Sequence, residues 1–211
     1  MPGEEIVYAG PFRRAIAISI DMLIAGFLRI IFAQLIGFFW FNQQVINFIL
    51  EFKNKFGTDV ISRSPEHLDF LMHHSIVRST IIFYVIIILV GAFYHAFFNA
   101  SSWCATIGKK IMGIILIKNI GRKLSLLEAL AHYFLSLVPW IFMLYILLYQ
   151  AYHNVTIYHA IISNLAFGLF TLAWIQTHLL TKRKVTAHDM ICKTVMVEGS
   201  VGGKFPKFRF K

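Results

Sequence analysis

The chain has 211 residues, of which 58% are hydrophobic and only 14% charged, and its formal net charge is +10. Globular domains are roughly 45–50% apolar and about 25% charged, so this composition excludes an ordinary globular protein and predicts an integral membrane protein. About 20 apolar residues suffice to cross a bilayer as a helix. Four segments qualify, at residues 15–41, 79–98, 126–150 and 155–180. The predicted fold is an all-α membrane protein, a four-helix transmembrane bundle.

The basic residues are concentrated in the loop between the second and third spans and after the fourth span, whereas the first loop mixes acids and bases. By the positive-inside rule, this asymmetry predicts a multi-pass protein with both termini in the cytoplasm, N-in/C-in. The expected location is a bacterial inner membrane. Because topology explains the basic excess, no nucleic acid partner is predicted. The tail 199–211 interleaves phenylalanine with lysine and arginine, so it is expected either to lie on anionic lipid or to be solvated.

The first predicted helix carries charged residues within apolar sequence. Pro11 suits the first turn of a helix, and Arg14, Asp21 and Arg29 follow it. Charges inside a span are costly and face protein, partner charges or water. Arg14 and Asp21 are separated by about 10 Å along a helix axis, so each should find its partner elsewhere in the fold. Arg29 is expected either to pack or snorkel, or to pair with an anion or with Asp21.

Residues 41–78 are predicted to be an external connection. The adjacent His73 and His74 lack a third ligand at the spacing of known metal sites, so no metal site is predicted. In the second span, His95 could relay protons or make a structural hydrogen bond. It continues a small and polar side of the helix that is expected to face the bundle interior. The other members of that side are Thr80, Tyr84 and Gly91.

A short, mixed segment separates the second and third spans. Thr106 is expected to cap a short helix that Gly113 ends. The β-rich residues 114–118 and the residues 122–124 after a turn predict a small cytoplasmic hairpin. Residues 125–128 form a capping box that opens the third helix.

The third span places His132 on a polar face, with a kink expected at Pro139. The fourth span carries Asn164 within a small and polar stripe suited to close helix contact. Beyond it, residues 186–189 form a second capping box, and residues 194–197 have the composition of a strand.

The chain lacks the motifs of common enzymes and cofactor sites. Gly108-Lys109 lacks the remainder of a phosphate-binding loop, and the sequence contains no hydrolase elbow, zinc-binding helix motif or C-x-x-C pair. An enzyme and a bound cofactor are therefore not expected.

Three separated blocks of the chain together resemble the RDD family of small integral membrane proteins, which is named for one arginine and two aspartates. The matching residues are Ala9-Gly10, Phe12-Arg13-Arg14, Ile20-Asp21, Ala105-Thr106-Ile107-Gly108-Lys109-Lys110 with Gly113, and His188-Asp189 with Thr194-Val195. The resemblance implies that Arg14, Asp21 and Asp189 are the charges of the family name, within an RDD-type domain at 1–198. Two positions depart from it: Asn99 stands where an acid is frequent and His132 where an arginine is frequent.

Two functions are open from the sequence. In the first, the protein is a membrane scaffold or accessory subunit, and the arginine and the two aspartates form a structural network. In the second, which the resemblance implies for some members, it is an antiporter that exchanges Na⁺ or another monovalent cation for a proton, with Asp21 as carrier carboxylate. The candidate transport or polar-core residues are Asp21, Arg29, His95, His132 and Asn164. Four spans leave little room for an aqueous path, so transport would require a homo-oligomer or a larger complex.

A contact between the two ends of the chain is also predicted. Arg14 begins the first helix and Asp189 follows the fourth, so both should lie at the same side of the membrane. A guanidinium can donate two parallel hydrogen bonds to a carboxylate. Arg14 is therefore expected to contact Asp189 more closely than Asp21.

Overall fold

The computed structural model describes residues 7–62, 64–153 and 156–199. The tail 199–211, for which lipid binding was one expectation, lies outside the described residues after position 199. Nine helices and two strands are described within them. They are α1 (Pro11–Ile36), α2 (Asn42–Phe56), α3 (Pro65–His73), α4 (Ser75–Ala100), α5 (Ile107–Ile111), β1 (Ile114–Lys118), α6 (Leu126–Ser136), α7 (Val138–His153), α8 (Ile157–Leu180), α9 (Ala187–Cys192) and β2 (Thr194–Glu198).

The long apolar helices confirm the predicted membrane bundle. Three of them are long and apolar enough to cross a membrane, and α6 with α7 forms a fourth span if this bent pair is counted as one. The two helices of the pair meet at 41°. Pro139 is the second residue of α7 and cannot donate a backbone hydrogen bond to the preceding turn. The kink expected at this proline is therefore confirmed.

The segment predicted as an external connection is mostly helical, which corrects the sequence prediction. The first helix does not end at residue 41 but continues through a π-helical turn, Gly37–Phe41, into α2. It ends at Gly57, whose φ of 69° lies in the left-handed region. Helix α2 buries Phe48 and Phe52, while seven of its fifteen residues are uncharged polar residues or lysine, and one is Glu51. Such an amphipathic pattern lowers the mean hydropathy, and a search for apolar runs therefore misses it.

By its internal contacts the chain forms two compact units, residues 23–91 and residues 1–22 with 92–211. In the first unit, Phe48 and Phe52 pack with Ile76 in an aromatic-rich core. The predicted inward side of α4 is only partly buried, because Tyr84 is 61% exposed. A tyrosine has an apolar ring and can face lipid. The polar hydroxyl of Tyr84 therefore does not require this side of α4 to face the bundle interior. The second unit contains the sheet.

The sheet joins β1 to β2 in antiparallel register, from Ile114 opposite Glu198 to Lys118 opposite Thr194. The small β element was predicted, but the pairing of residues 114–118 with 122–124 is wrong. Both faces of the sheet are covered. Ile114, Leu116 and Met196 belong to one core cluster, and Ile115, Ile117, Val195 and Val197 belong to another. Residues 122–124 begin with two exposed bases and cannot supply apolar side chains to both faces.

Candidate functional site: two buried carboxylates

Asp21 lies in α1 with 2% of its surface exposed, and its carboxylate accepts three hydrogen bonds. The Tyr94 hydroxyl and the Gly108 backbone N–H donate to Oδ1 over 2.7 and 2.9 Å. The Thr106 hydroxyl donates to Oδ2. All three donors are neutral. They come from α4, from α5 and from the residue before α5, so this carboxylate joins three segments of the chain.

Close packing of α5 on α1 depends on Gly108. A Cβ atom at this position would lie 2.2 Å from the Ala17 carbonyl oxygen and 2.9 Å from Asp21 Cγ. No side chain fits there unless one helix moves. Thr106 occupies the N-cap position of α5, as predicted, but its side chain makes no capping hydrogen bond. Its hydroxyl binds Asp21 instead, so the predicted role of this hydroxyl is wrong.

Asp189 is completely buried in the first turn of α9. Its Oδ2 accepts hydrogen bonds from the Thr186 hydroxyl at 2.7 Å and the Thr186 N–H at 3.2 Å, which confirms the second capping box. On the other oxygen, Oδ1 lies 2.8 Å from His132 Nε2 and accepts from Thr194 Oγ1 at 3.2 Å. Asp189 therefore caps its helix and also connects α6 and β2 to it.

Arg14 contacts Asp189, as predicted: Nη1 lies 3.4 Å from Oδ2. The expected pair of parallel hydrogen bonds is not formed, because the other donors have other acceptors. Nε donates to the Ala9 carbonyl at 3.2 Å and Nη2 to the Met196 carbonyl at 3.5 Å. The guanidinium thus binds the N-terminal segment, β2 and α9 at once, with one nitrogen for each. A lysine would have to direct all of its hydrogen bonds from a single nitrogen.

Lys109, in α5, is a buried cation with a neutral partner. Its Nζ donates to Asn99 Oδ1 over 3.0 Å, and its surface is 5% exposed. Burial lowers the pKa of Lys109 to about 8, because desolvation disfavours the ammonium. The charges of Asp21 and Asp189 oppose this shift, and that of Arg14 adds to it. Lys109 therefore lies within the electrostatic reach of both carboxylates.

Two imidazoles complete the surroundings of Asp189. The rings of His132 and His188 lie 4.9 Å apart at 75°. Burial lowers the pKa of His188 to about 4; the Asp189 charge opposes this shift, while His132 reinforces it. Burial alone would raise the pKa of Asp189, but the hydrogen bond from His132 and the surrounding positive charges hold it well below its usual range. Asp189 is therefore ionised across the physiological pH range.

Three candidate residues remain: Arg29, His95 and Asn164. Arg29 is half-buried in α1 within the unit of residues 23–91. His95 stacks on Tyr133, with ring centroids 5.2 Å apart. Asn164 is exposed on α8, so the single chain does not place it in a polar core. Of the predicted transport residues, Asp21 and His132 take part in the buried hydrogen bonds around the two carboxylates, and His95 contacts the ring of Tyr94.

Sequence reasoning missed Tyr94 and His188 as members of the site. Tyr94 is 73 residues from Asp21. His132, which was a candidate, is 57 residues from Asp189, and its contact with that carboxylate was not predicted either. No helical or strand periodicity connects positions so far apart. The available signal was the position of His188 inside the capping box, next to the aspartate.

Searches of the curated proteins and of the solved structures found no match. The sequence model of the RDD family matches residues 8–193, a range that includes Arg14, Asp21 and Asp189. The chain therefore belongs to the RDD family.

Proposed function

We propose that this membrane protein acts as a scaffold or accessory subunit, without catalytic activity, and that Arg14, Asp21 and Asp189 are its structural network. The observation that carries this proposal is the environment of Asp21. Both carboxylate oxygens are occupied by fixed, neutral donors from Tyr94 and Gly108 on one oxygen and Thr106 on the other.

A carrier carboxylate alternates between holding a proton and holding a cation. Three of the about four lone-pair sites of the Asp21 carboxylate already accept hydrogen bonds. A cation, which needs several oxygen lone pairs, would therefore compete with a buried donor, and an unsatisfied buried donor costs about 1–3 kcal/mol. The backbone N–H of Gly108 cannot turn away without a movement of α5. The present arrangement therefore favours a permanent hydrogen-bonding role for Asp21.

The network also has the connectivity that a scaffold needs. Asp21 joins α1 to α4 and α5, while Arg14 and Asp189 join the start of α1 to α6, α9 and β2. Buried polar groups of this kind can specify one arrangement of segments, because a different arrangement leaves charges unpaired. In the unit of residues 1–22 and 92–211, the membrane helices would thereby hold the small sheet in a defined orientation for binding to a partner protein.

Ion flux in liposomes containing the purified chain tests the proposal. Gradients of Na⁺, K⁺ or Li⁺ are imposed, and internal pH is followed with a fluorescent dye. We expect no proton movement beyond that of empty liposomes. Cation-driven flux that disappears in Asp21→Asn and persists in Asp69→Asn would overturn the scaffold proposal. Asp69 is the matched control because its side chain is 76% exposed.

Cation/proton exchange remains a second candidate, with Asp21 as carrier carboxylate and a homo-oligomer as the transporting unit. One observation favours it: Lys109 is buried, lies within the field of Asp21 and has a pKa of about 8. Loss of its proton near neutral pH would change the net charge around the carboxylate. If exchange occurs, Lys109→Gln should remove the pH dependence of flux between about pH 7 and 9. The molar mass of the purified protein, measured by light scattering, tests the oligomer.

A further inference from the structure

The geometry points to a site for a first-row transition metal ion, formed by His132, His188 and Asp189. One ligand atom from each residue lies within 4.8 Å of the other two. His132 lies in α6, whereas His188 and Asp189 lie in the first turn of α9. Folding therefore brings the three residues together. This site goes beyond the scaffold role, because that role requires no bound ion.

The distances between these atoms bracket those of a tetrahedral site. A tetrahedral ion with bonds of about 2.0–2.1 Å keeps its ligand atoms about 3.3 Å apart. Asp189 Oδ1 lies 2.8 Å from His132 Nε2 and 4.0 Å from His188 Nε2. The first distance must therefore lengthen by about 0.5 Å and the second shorten by about 0.7 Å, which small side-chain rotations can supply. The ion replaces the proton shared by His132 and Asp189, and that proton passes to solvent.

Outer hydrogen bonds already orient the carboxylate for this task. Asp189 Oδ2 is held by the Thr186 hydroxyl at 2.7 Å and contacts Arg14 at 3.4 Å. Oδ1 faces the two histidines and also accepts a hydrogen bond from Thr194 Oγ1 at 3.2 Å. Metal ligands in proteins are commonly fixed by such outer partners, which reduces the rearrangement on binding.

The surrounding charges select the kind of ion. Arg14 and Lys109 are cations whose fields reach this cluster, and both of them act on His188. Mg²⁺ and Ca²⁺ are held mainly by charged and carbonyl oxygens, and one carboxylate beside two cations does not provide that environment. Imidazole nitrogens instead favour Zn²⁺, Ni²⁺, Cu²⁺ or Co²⁺. His188 is 14% exposed, so an ion and a solvent ligand can reach the site from its side.

The test uses the full chain, purified in detergent without a histidine tag and titrated with Co²⁺. Tetrahedral Co²⁺ with imidazole ligands absorbs visible light strongly, whereas hydrated Co²⁺ does so weakly. We expect a saturable visible band at about one ion per chain, which excess Zn²⁺ abolishes. In His132→Gln and His188→Gln the affinity should fall at least about tenfold.

The matched control is His73→Gln, since this histidine on α3 is 80% exposed and lies outside the cluster. Its titration should equal that of the native chain. Far-UV circular dichroism and the melting temperature establish that each variant is folded. Absence of a saturable band in the folded native chain would overturn the site, as would a band that both histidine variants retain unchanged. A native band lost in either folded variant supports it.

Discussion

Arg14 and Asp189 are 175 residues apart in the sequence and form a buried ion pair, with Nη1 3.4 Å from Oδ2. The pair connects the two ends of the described chain, because Arg14 lies in the first turn of α1 and Asp189 lies in α9, after the last membrane helix. Each partner has further hydrogen bonds, to the Ala9 and Met196 carbonyls and to Thr186, Thr194 and His132. Removal of either partner therefore leaves the charge of the other buried without its counter-ion.

Arg14→Ala and Asp189→Ala should be non-additive. Each single change leaves the other charge buried, which costs about 3–5 kcal/mol of folding free energy. The double variant leaves no unpaired charge, so its loss in the free energy of unfolding should be clearly smaller than the sum of the losses in the two single variants. The measurement is a double-mutant cycle from denaturant unfolding in detergent. Simple additivity would show that the two residues act independently.

Gly108→Ala should destabilise the unit by about 1–3 kcal/mol, the usual cost of overpacking. The added methyl group would lie 2.2 Å from the backbone carbonyl of Ala17, which cannot rotate away. The matched control is Gly26→Ala, in the same helix as Ala17, where a Cβ atom meets nothing within 4 Å. That change should be neutral or stabilising, because alanine is the better helix former. Equal melting temperatures for both variants would contradict the close contact between α1 and α5.

The features that are local in sequence could be predicted, and those that join distant residues mostly could not. Apolar length located the spans, and Ser or Thr three residues before an acid located both capping boxes. The Arg14 to Asp189 contact followed from topology alone, since both residues flank spans at the same side. The partner of β1 and the donors to Asp21 were missed, because pairing between segments more than 70 residues apart leaves no periodic signal.

Lys109 should make the stability of the protein rise with pH above about pH 8. Its pKa is about 8 in the folded chain and about 10.4 in an unfolded one. Between these values the unfolded state binds more protons, and stability therefore increases as pH rises. The melting temperature of the native chain, relative to that of Lys109→Met, should thus increase from pH 7 to pH 10. Lys110→Met is the control, and its difference from the native chain should stay constant over the same range.

Asp189→Asn should remove the acid sensitivity of the network. The folded chain holds the pKa of Asp189 below its usual range, so its stabilising contribution is present above about pH 4 and is lost as the pH falls further. At pH 7 the variant should be less stable by about 3–5 kcal/mol, because Arg14 is left buried without its counter-ion. The gap should narrow below pH 4, which unfolding curves at pH 7 and pH 3 can measure. An unchanged gap at both values would contradict the link between Asp189 ionisation and stability.

Membrane orientation is the last prediction, and it follows from the distribution of lysine and arginine between the loops. Cys104 and Cys192 are both free thiols, so they are first replaced by serine to give a chain without cysteine. Asp59→Cys and Lys123→Cys are then introduced separately, at two exposed positions in the first and middle loops. An impermeant maleimide added to intact cells should label the cysteine at position 59 and leave the one at position 123 unlabelled. Permeabilised cells provide the control, because there both positions should react. Labelling of position 123 but not 59 in intact cells would reverse the N-in/C-in assignment.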